Sequence, residues 1–140
     1  MIVFLDIDGV LNQLQGNYYL DSKCVENLSI LCRTLKASIV LTSSWRLGYS
    51  NFGKCSPQIE ELKKKFSKYS IKICGRTANL GNRYEEINKY IQDYNINEYI
   101  ILDDDKNEFM DKMINNLYII NGKKGLTSKD VKSIIKNHSN

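Results

Sequence analysis

The chain has 140 residues, of which 42% are hydrophobic and 26% charged, and its formal net charge is +4. This length predicts a single domain, residues 1–140, with one hydrophobic core. The composition excludes a disordered or fibrous protein, and the longest apolar runs are far too short to span a membrane. No basic segment precedes the first apolar run, so we expect no secretory signal and a cytoplasmic protein.

The first half of the chain alternates strand and helix patterns. Ile2–Leu5 is a continuous apolar run, which is typical of a parallel strand covered on both faces. Asp21 can cap a helix that ends near Lys36, and residues 38–42 predict the second strand. Ser56, followed by a proline, marks the start of a second helix.

The second half continues this alternation. Further strands are predicted at residues 69–73, 99–102 and 117–120. Asn82 with Glu85, and Thr127 with Asp130, resemble capping boxes that open two more helices. The alternation predicts an α/β, three-layer Rossmann-like fold, in which helices cover both faces of a mainly parallel sheet of about five strands.

The four cysteines disfavour a zinc site. They are Cys24, Cys32, Cys55 and Cys74, none of which forms a C-x-x-C pair, and the chain has one histidine. This pattern predicts reduced, buried thiols in a reducing compartment.

Acidic and hydroxyl residues follow three of the predicted strands. These segments are Asp6-Ile7-Asp8-Gly9, Thr42-Ser43-Ser44 and Asp103-Asp104-Asp105. In parallel α/β sheets, ligands bind beyond the carboxyl ends of the strands. Five aspartates at one edge repel one another unless a cation neutralises them, and such hard oxygen ligands suit Mg²⁺ with a substrate phosphate. The sequence therefore predicts a magnesium and phosphate site at this edge.

The spacing of Asp6 and Asp8 suggests a mechanism. In an extended segment both side chains point to the same face, so one can attack phosphorus while the other handles the leaving-group proton. Either Thr42 or Ser43 can donate a hydrogen bond to the phosphoryl oxygens. Arg83, at the start of the helix before the fourth strand, is the candidate cation for the transferring group.

These motifs resemble those of the haloacid-dehalogenase-like (HAD) superfamily. Residues 4–12, FLDIDGVLN, are similar to its first motif, Thr42-Ser43 to its second, Arg83 to its third and Asp103-Asp104 to its fourth. The order and spacing fit, and the motifs span nearly the whole chain. Ser43-Ser44-Trp45-Arg46 and Gly125-Leu126-Thr127 further resemble the small HAD domains of Swiss Army Knife RNA repair proteins.

The resemblance implies a Mg²⁺-dependent phosphatase with a HAD-like fold. Asp6 would be the nucleophile that forms an aspartyl-phosphate, and Asp8 the general acid and then base, with a metal contact through its backbone carbonyl. Asp104 would bind Mg²⁺, Asp103 would assist, and Arg83 would steady the nucleophile and the phosphoryl group. The superfamily often has lysine in place of this arginine, and a third adjacent aspartate leaves the exact metal ligand open.

Two points at which many HAD enzymes carry a cap domain are short here. Residues 10–20 suffice for a small flap, and the segment between Ile73 and Asn82 is also too short for a folded lid. We therefore expect a capless domain whose site is open to solvent. Because the substrate's own bulk must then exclude water, a nucleic-acid end or a phosphoprotein is a better substrate than a free metabolite.

Basic and aromatic residues are predicted around this edge. They are Arg46, Lys54, Arg76, Arg83, Lys123 and Lys124, with Tyr18, Tyr19, Trp45, Tyr49 and Phe52. Such residues can follow a phosphate backbone and stack on bases. The candidate substrate contacts are Gly9, Ser44, Arg46 and Lys123. We expect a monomer that works alone or beside a kinase or ligase; the alternative is a catalytically silent HAD-like module that binds nucleic acid or phosphoprotein.

Overall fold

The computed structural model describes residues 1–109, 111–113 and 115–138. Within them, the strands are β1 (Ile2–Leu5), β2 (Ser38–Leu41), β3 (Ile73–Arg76), β4 (Tyr99–Asp103) and β5 (Leu117–Ile119). The α-helices are α1 (Ser22–Leu35), α2 (Pro57–Lys68), α3 (Arg83–Asp93) and α4 (Ser128–Asn137), and short 3₁₀ helices occupy Ser44–Gly48 and Lys106–Phe109. All strand pairs are parallel and the sheet order is β3-β2-β1-β4-β5, which confirms the predicted α/β architecture.

Each α-helix begins at a side-chain cap predicted from the sequence. The side chains of Asp21, Ser56 and Asn82 accept hydrogen bonds from backbone N–H groups in the first turns of α1, α2 and α3. Thr127 and Asp130 form a complete capping box at α4. These caps determine the residue at which each helix starts. They therefore also determine where the preceding loop ends.

The third strand lies later in the chain than predicted. Residues 69–73 were the expected strand, whereas β3 begins at Ile73. The residues before it close α2: Ser70 has a left-handed φ of 59°, and the Ile71 N–H donates to the Phe66 carbonyl at 3.0 Å. Helix termination of this type uses the backbone groups that a strand would need, so the strand is displaced towards the C-terminus.

Helices cover both faces of the sheet. On one face, α1, α2 and α4 pack against alternate strand residues, namely Val3, Leu5, Ile39, Leu41, Ile100 and Leu102. On the other face, Ile87 of α3 packs with Phe4, Val40 and Ile101. Because β1 is central and buried on both faces, its sequence is continuously apolar, and the residue that follows it lies in the middle of the sheet edge.

No cap domain interrupts the part of the chain that the structure describes. Residues 6–21 between β1 and α1, and residues 77–82 between β3 and α3, form loops without a helix or strand. Among the described helices, none combines the length and the apolar character needed to cross a membrane.

All four cysteines are free thiols, and Cys24, Cys32 and Cys55 are buried. Burial raises the pKa of Cys24 to about 11 and that of Cys32 to about 12. Both groups are therefore uncharged at neutral pH and serve as core side chains rather than nucleophiles.

Candidate active site

The sheet places Asp6, Thr42 and Asp103 side by side at its carboxyl edge. The Asp6 N–H donates to the Leu102 carbonyl, and the Thr42 N–H donates to the Leu5 carbonyl, both at 3.0 Å. These bonds extend the parallel ladder one residue beyond β1 and β2. Polar residues from three neighbouring strands therefore meet at the centre of the edge.

Asp6, Asp103 and Asp104 form an acidic cluster, in which one carboxylate oxygen of each lies within 4.8 Å of the others. Asp6 is 5% exposed, Asp103 is fully buried and Asp104 is half-buried. Asp105 is exposed, and its carboxylate accepts a hydrogen bond from the backbone of the following turn instead. Carboxylates this close disfavour one another's ionisation.

Arg83, the first residue of α3, supplies a positive charge to this cluster. Its Nη1 lies 2.8 Å from Asp103 Oδ2 and 3.5 Å from Asp6 Oδ1. Burial disfavours the charged guanidinium, but attraction to Asp103 and Asp6 outweighs it and raises the pKa of Arg83. One guanidinium against three carboxylates leaves the cluster with a net negative charge when all are ionised.

Burial, together with the remaining repulsion, favours the protonated forms of Asp6 and Asp103. Burial raises the pKa of Asp6 to about 9, with Asp103 adding to the rise and Arg83 opposing it. Burial likewise raises the pKa of Asp103, against the attraction of Arg83. A divalent cation would restore the ionised forms at neutral pH. Convergent carboxylate oxygens are the hard donors that Mg²⁺ takes, so the residues present fit this metal.

Asp8 lies outside the acidic cluster and is held by Asn12, which is fully buried. The Asn12 Nδ2 donates to Asp8 Oδ1 at 2.8 Å and to the Tyr18 carbonyl at 3.1 Å, while its Oδ1 accepts from the Gly9 N–H at 2.9 Å. The Asn12 amide therefore holds the Asp8 carboxylate in place without adding a charge beside it. The sequence analysis did not single out Asn12 as a site residue, and the only signal that it offered was the position of Asn12 at the end of the first motif.

The two candidate hydroxyls have different partners. Ser43 Oγ accepts from the Trp45 N–H at 3.2 Å and so caps the 3₁₀ helix that begins at Ser44, which is exposed. Thr42 Oγ1 is buried and has no hydrogen-bond partner among the described residues. A buried hydroxyl left unpaired is costly unless a ligand engages it. Of the two hydroxyls, that of Thr42 is the one left without a partner for a ligand to engage.

Glycines let the backbone approach the acidic cluster. Gly9 has a φ of +86°, and a Cβ at this position would lie 2.5 Å from Asp104 Oδ2. A Cβ on Gly122 would lie 3.1 Å from the same oxygen. Lys123 follows directly and is exposed, so the turn brings a positive charge to the rim of the site.

Residues 2–131 match the family model described as the HAD domain in Swiss Army Knife RNA repair proteins. The chain belongs to this family. The matched range contains the acidic cluster, Arg83 and both hydroxyls, and the family indicates a phosphatase-like hydrolase of a type that generally uses Mg²⁺. No match was found among the curated proteins or among the solved structures.

In this HAD domain, Arg46 lies inside the protein rather than at the substrate rim, and it is 6% exposed. Its Nη2 lies 3.0 Å from Glu86 Oε2, and its Nη1 donates to the carbonyls of Thr42 and Ser43 at 3.2 and 2.9 Å. Glu86 also accepts from the Leu80 N–H at 2.9 Å. The observed contacts thus differ from the expected substrate contact: Arg46 ties the loop after β2 to the loop before α3. Glu86 carried no sequence signal.

The other predicted rim residues of the HAD domain fall into two groups. Lys54, Arg76, Lys123, Lys124, Tyr18, Tyr19 and Phe52 are exposed. Trp45 and Tyr49 are half-buried and pack partly against the core. The rim therefore presents separated positive charges and several aromatic side chains to solvent.

Proposed function

We propose that this HAD domain is a Mg²⁺-dependent phosphatase that works through an aspartyl-phosphate on Asp6. The observation that carries the proposal is the acidic cluster at the end of the central strand, with the Arg83 guanidinium 3.5 Å from the Asp6 carboxylate. Asp6 and Asp104 would hold Mg²⁺, with Asp103 assisting and a further contact from the Asp8 backbone carbonyl. The bound ion would neutralise the cluster and polarise the phosphoryl group.

The side chains divide the reaction between them. Asp6 attacks phosphorus as the bond to the leaving oxygen breaks, and Asp8 donates a proton to that oxygen. Asp8, now a carboxylate, accepts a proton from the water that hydrolyses the aspartyl-phosphate. Thr42 and Arg83 stabilise the charge that develops on the phosphoryl oxygens. The products are an alcohol and inorganic phosphate, and Asp6 is regenerated.

The substrate we propose is a phosphate on a macromolecule. The loops after β1 and β3 leave the site open, so a bulky substrate must itself exclude water. Exposed lysines such as Lys123 suit a polyanion. Since the family description names RNA repair proteins, a nucleic-acid end is favoured over a phosphoprotein. A cytoplasmic monomer that works beside a kinase or ligase fits this role.

The test is phosphate release from an aryl phosphate, from 5′- and 3′-phosphorylated oligonucleotides and from a phosphopeptide, with Mg²⁺ or with EDTA. We expect Mg²⁺-dependent release that Asp6→Asn abolishes. Asp105→Asn is the matched control and should keep its activity, because that carboxylate lies outside the acidic cluster. Release no greater than that of Asp6→Asn on every substrate would refute the proposal, and tight binding without turnover would support the silent module instead.

A further inference from the structure

A groove of about 460 Å³ lies between the loop after β1 and the start of α2. We call it the aromatic groove. Its lining residues are Asn17, Tyr18, Tyr19, Leu20, Trp45, Gln58, Glu61 and Lys65. None of these belongs to the acidic cluster, and none takes part in the proposed phosphoryl transfer.

Both walls of the aromatic groove are anchored to the candidate active site. On one side, Asn12 donates to the Tyr18 carbonyl and, with the same amide, to the Asp8 carboxylate. On the other side, the Trp45 N–H donates to Ser43 Oγ. Each wall is therefore hydrogen-bonded to a residue of the loops that carry Asp8 and Thr42.

The tyrosines of the groove are not explained by core packing. Tyr19 is 76% exposed, and Tyr18 is also exposed. Tyr18 has a φ of 60°, an uncommon conformation for an aromatic residue, and its hydroxyl accepts from the Gln15 N–H at 3.2 Å. Strained backbone persists where surrounding contacts enforce it, often at binding sites. Here the Gln15 contact holds the ring of Tyr18 at the surface.

The polar groups of the groove suit an uncharged ring with hydrogen-bonding edges. Gln58 and Glu61, one turn apart on α2, supply donors and acceptors. The Lys65 ammonium donates to the Leu20 carbonyl at 3.2 Å, and Glu61, one turn earlier on α2, contributes the opposite charge to the same lining. A groove without net charge is poorly suited to a phosphate or a phosphopeptide. Aromatic faces with polar edges are the means by which proteins bind unpaired bases.

We propose that the aromatic groove binds an unpaired base of a single-stranded nucleic acid, next to the nucleotide whose phosphate is removed. This subsite deepens the proposed function and rests on it for its link to catalysis. The base stacks on Tyr18, Tyr19 and Trp45, while the phosphate reaches Asp6. The groove thereby aligns a nucleic-acid end that the open site does not enclose.

Trp45 is the only tryptophan of the chain, so its fluorescence reports directly on the groove. The probe is an unphosphorylated oligoadenylate, as RNA and as DNA, compared with an abasic strand of equal length and charge. We expect saturable quenching by at least one base-bearing strand and little quenching by the abasic strand. If RNA and DNA bind with different affinity, the tighter one indicates the preferred backbone. Equal quenching by the abasic strand, or equal competition by a phosphopeptide, would overturn the proposal.

A variant series separates stacking from general charge attraction. Tyr19→Ala should weaken oligoadenylate binding roughly ten-fold, the order expected for one lost stacking partner, and Tyr19→Phe should retain it. Tyr94→Ala is the matched control, since Tyr94 is 63% exposed at the end of α3 on the opposite side of the sheet. Unchanged affinity in Tyr19→Ala would overturn the assignment.

Kinetics connect the groove to the reaction. For a phosphorylated oligonucleotide, Tyr19→Ala should raise KM roughly ten-fold, whereas KM for a phosphorylated abasic strand of the same length should change little, because that substrate offers no base to stack. Equal losses on both substrates would contradict a base subsite. If the wild-type protein releases no phosphate, the proposed function fails, while the fluorescence titration still decides whether the groove binds a base.

Discussion

The ionised form of the Asp6 carboxylate is destabilised by its surroundings. The group lies buried beside Asp103 and Asp104, and one guanidinium is nearby. In the unfolded chain this group ionises near 3.8, whereas in the folded protein its pKa rises to about 9. Folding therefore favours the protonated acid, although the proposed reaction needs the anion. The proposed reaction and the stability of the metal-free protein therefore favour opposite protonation states of Asp6.

The pH dependence of stability follows from this shift. Between pH 4 and about 9 the folded protein holds a proton on Asp6 that the unfolded chain has released, so the free energy of unfolding falls as pH rises. In EDTA, we expect the melting temperature of the wild type to fall from pH 5 to pH 9. Asp6→Asn should show a shallower fall, because an amide does not ionise, and Asp105→Asn should follow the wild type. Equal slopes in Asp6→Asn and wild type, measured by calorimetry, would contradict the assignment.

Gly9 lies so close to Asp104 that a side chain at this position would displace the Asp104 carboxylate. In Gly9→Ala, the new Cβ would meet Asp104 Oδ2 at 2.5 Å and displace it, so we expect a weakened Mg²⁺ response as well as a stability loss of roughly 1–3 kcal/mol from the left-handed φ. Gly81→Ala isolates the backbone effect, since Gly81 has a φ of +92° and nothing within 4 Å of its would-be Cβ. Mg²⁺ titrations of phosphatase activity and thermal unfolding compare the two. A normal Mg²⁺ response in Gly9→Ala would argue against the placement of Asp104.

Among the elements, the loop after β2 and the loop before α3 are joined by the Arg46–Glu86 pair, buried at 3.0 Å. This pair holds the carbonyls of Thr42 and Ser43 on one side and the Leu80 N–H on the other. It connects the segment that carries Thr42 to α3, the helix that begins at Arg83. The pair therefore joins the two loops through direct contacts.

Variants of the Arg46–Glu86 pair should distinguish its contribution to the stability of the fold from its role in positioning the loop that carries Thr42 and Ser43. Glu86→Ala leaves the Arg46 charge buried and unpaired, which should cost about 3–5 kcal/mol, whereas Glu85→Ala on the exposed neighbour should cost about 1 kcal/mol or less. The double variant Arg46→Met with Glu86→Leu should recover much of the stability but not kcat, because the carbonyls of Thr42 and Ser43 lose their donor. Chemical denaturation and aryl phosphate turnover measure the two effects. Full recovery of kcat in the double variant would exclude a positioning role.

The sequence predicted best those features that depend on neighbours along the chain. Helix starts were readable because a cap and its N–H partners lie within three residues. The acids and hydroxyls of the site were readable because they directly follow strands that meet at one edge. The third strand was misplaced because the chain before Ile73 is used to close α2.

Features that depend on distant contacts were not readable. Arg46 and Glu86 are separated by 40 residues, and nothing in the sequence near either one indicates that they pair in the interior. Tyr18, Tyr19 and Trp45 were singled out from the sequence as residues that can stack on bases, but their meeting with α2 in one groove depends on contacts that only the folded chain shows. Asn12 is intermediate, since it lies within the first motif but acts through a hydrogen bond that only the folded loop shows.

For the molecule as a whole, the acidic cluster joins the central strand to β4, so a bound cation would brace the middle of the sheet. We expect Mg²⁺ to raise the melting temperature in a concentration-dependent way, because a ligand that binds only the folded state stabilises it by mass action. Asp104→Asn should lose most of this shift, and Asp105→Asn should keep it. Differential scanning fluorimetry at several Mg²⁺ concentrations provides the measurement. An identical Mg²⁺-dependent shift in Asp104→Asn would place the ion elsewhere.

The pairing of β1 with β4 also determines when, during synthesis and folding, the acidic cluster can form. Ile2 is in register with Tyr99, so the strand that carries Asp6 gains this neighbour only after most of the chain has been synthesised. Closing so long a loop is entropically costly and makes such parallel pairing slow. Until then Asp6 is an ordinary solvated carboxylate, without Asp103, Asp104 or Arg83 around it. Chains in which β4 has not yet joined β1 therefore lack the acidic cluster, and the candidate active site forms only once this pairing is complete.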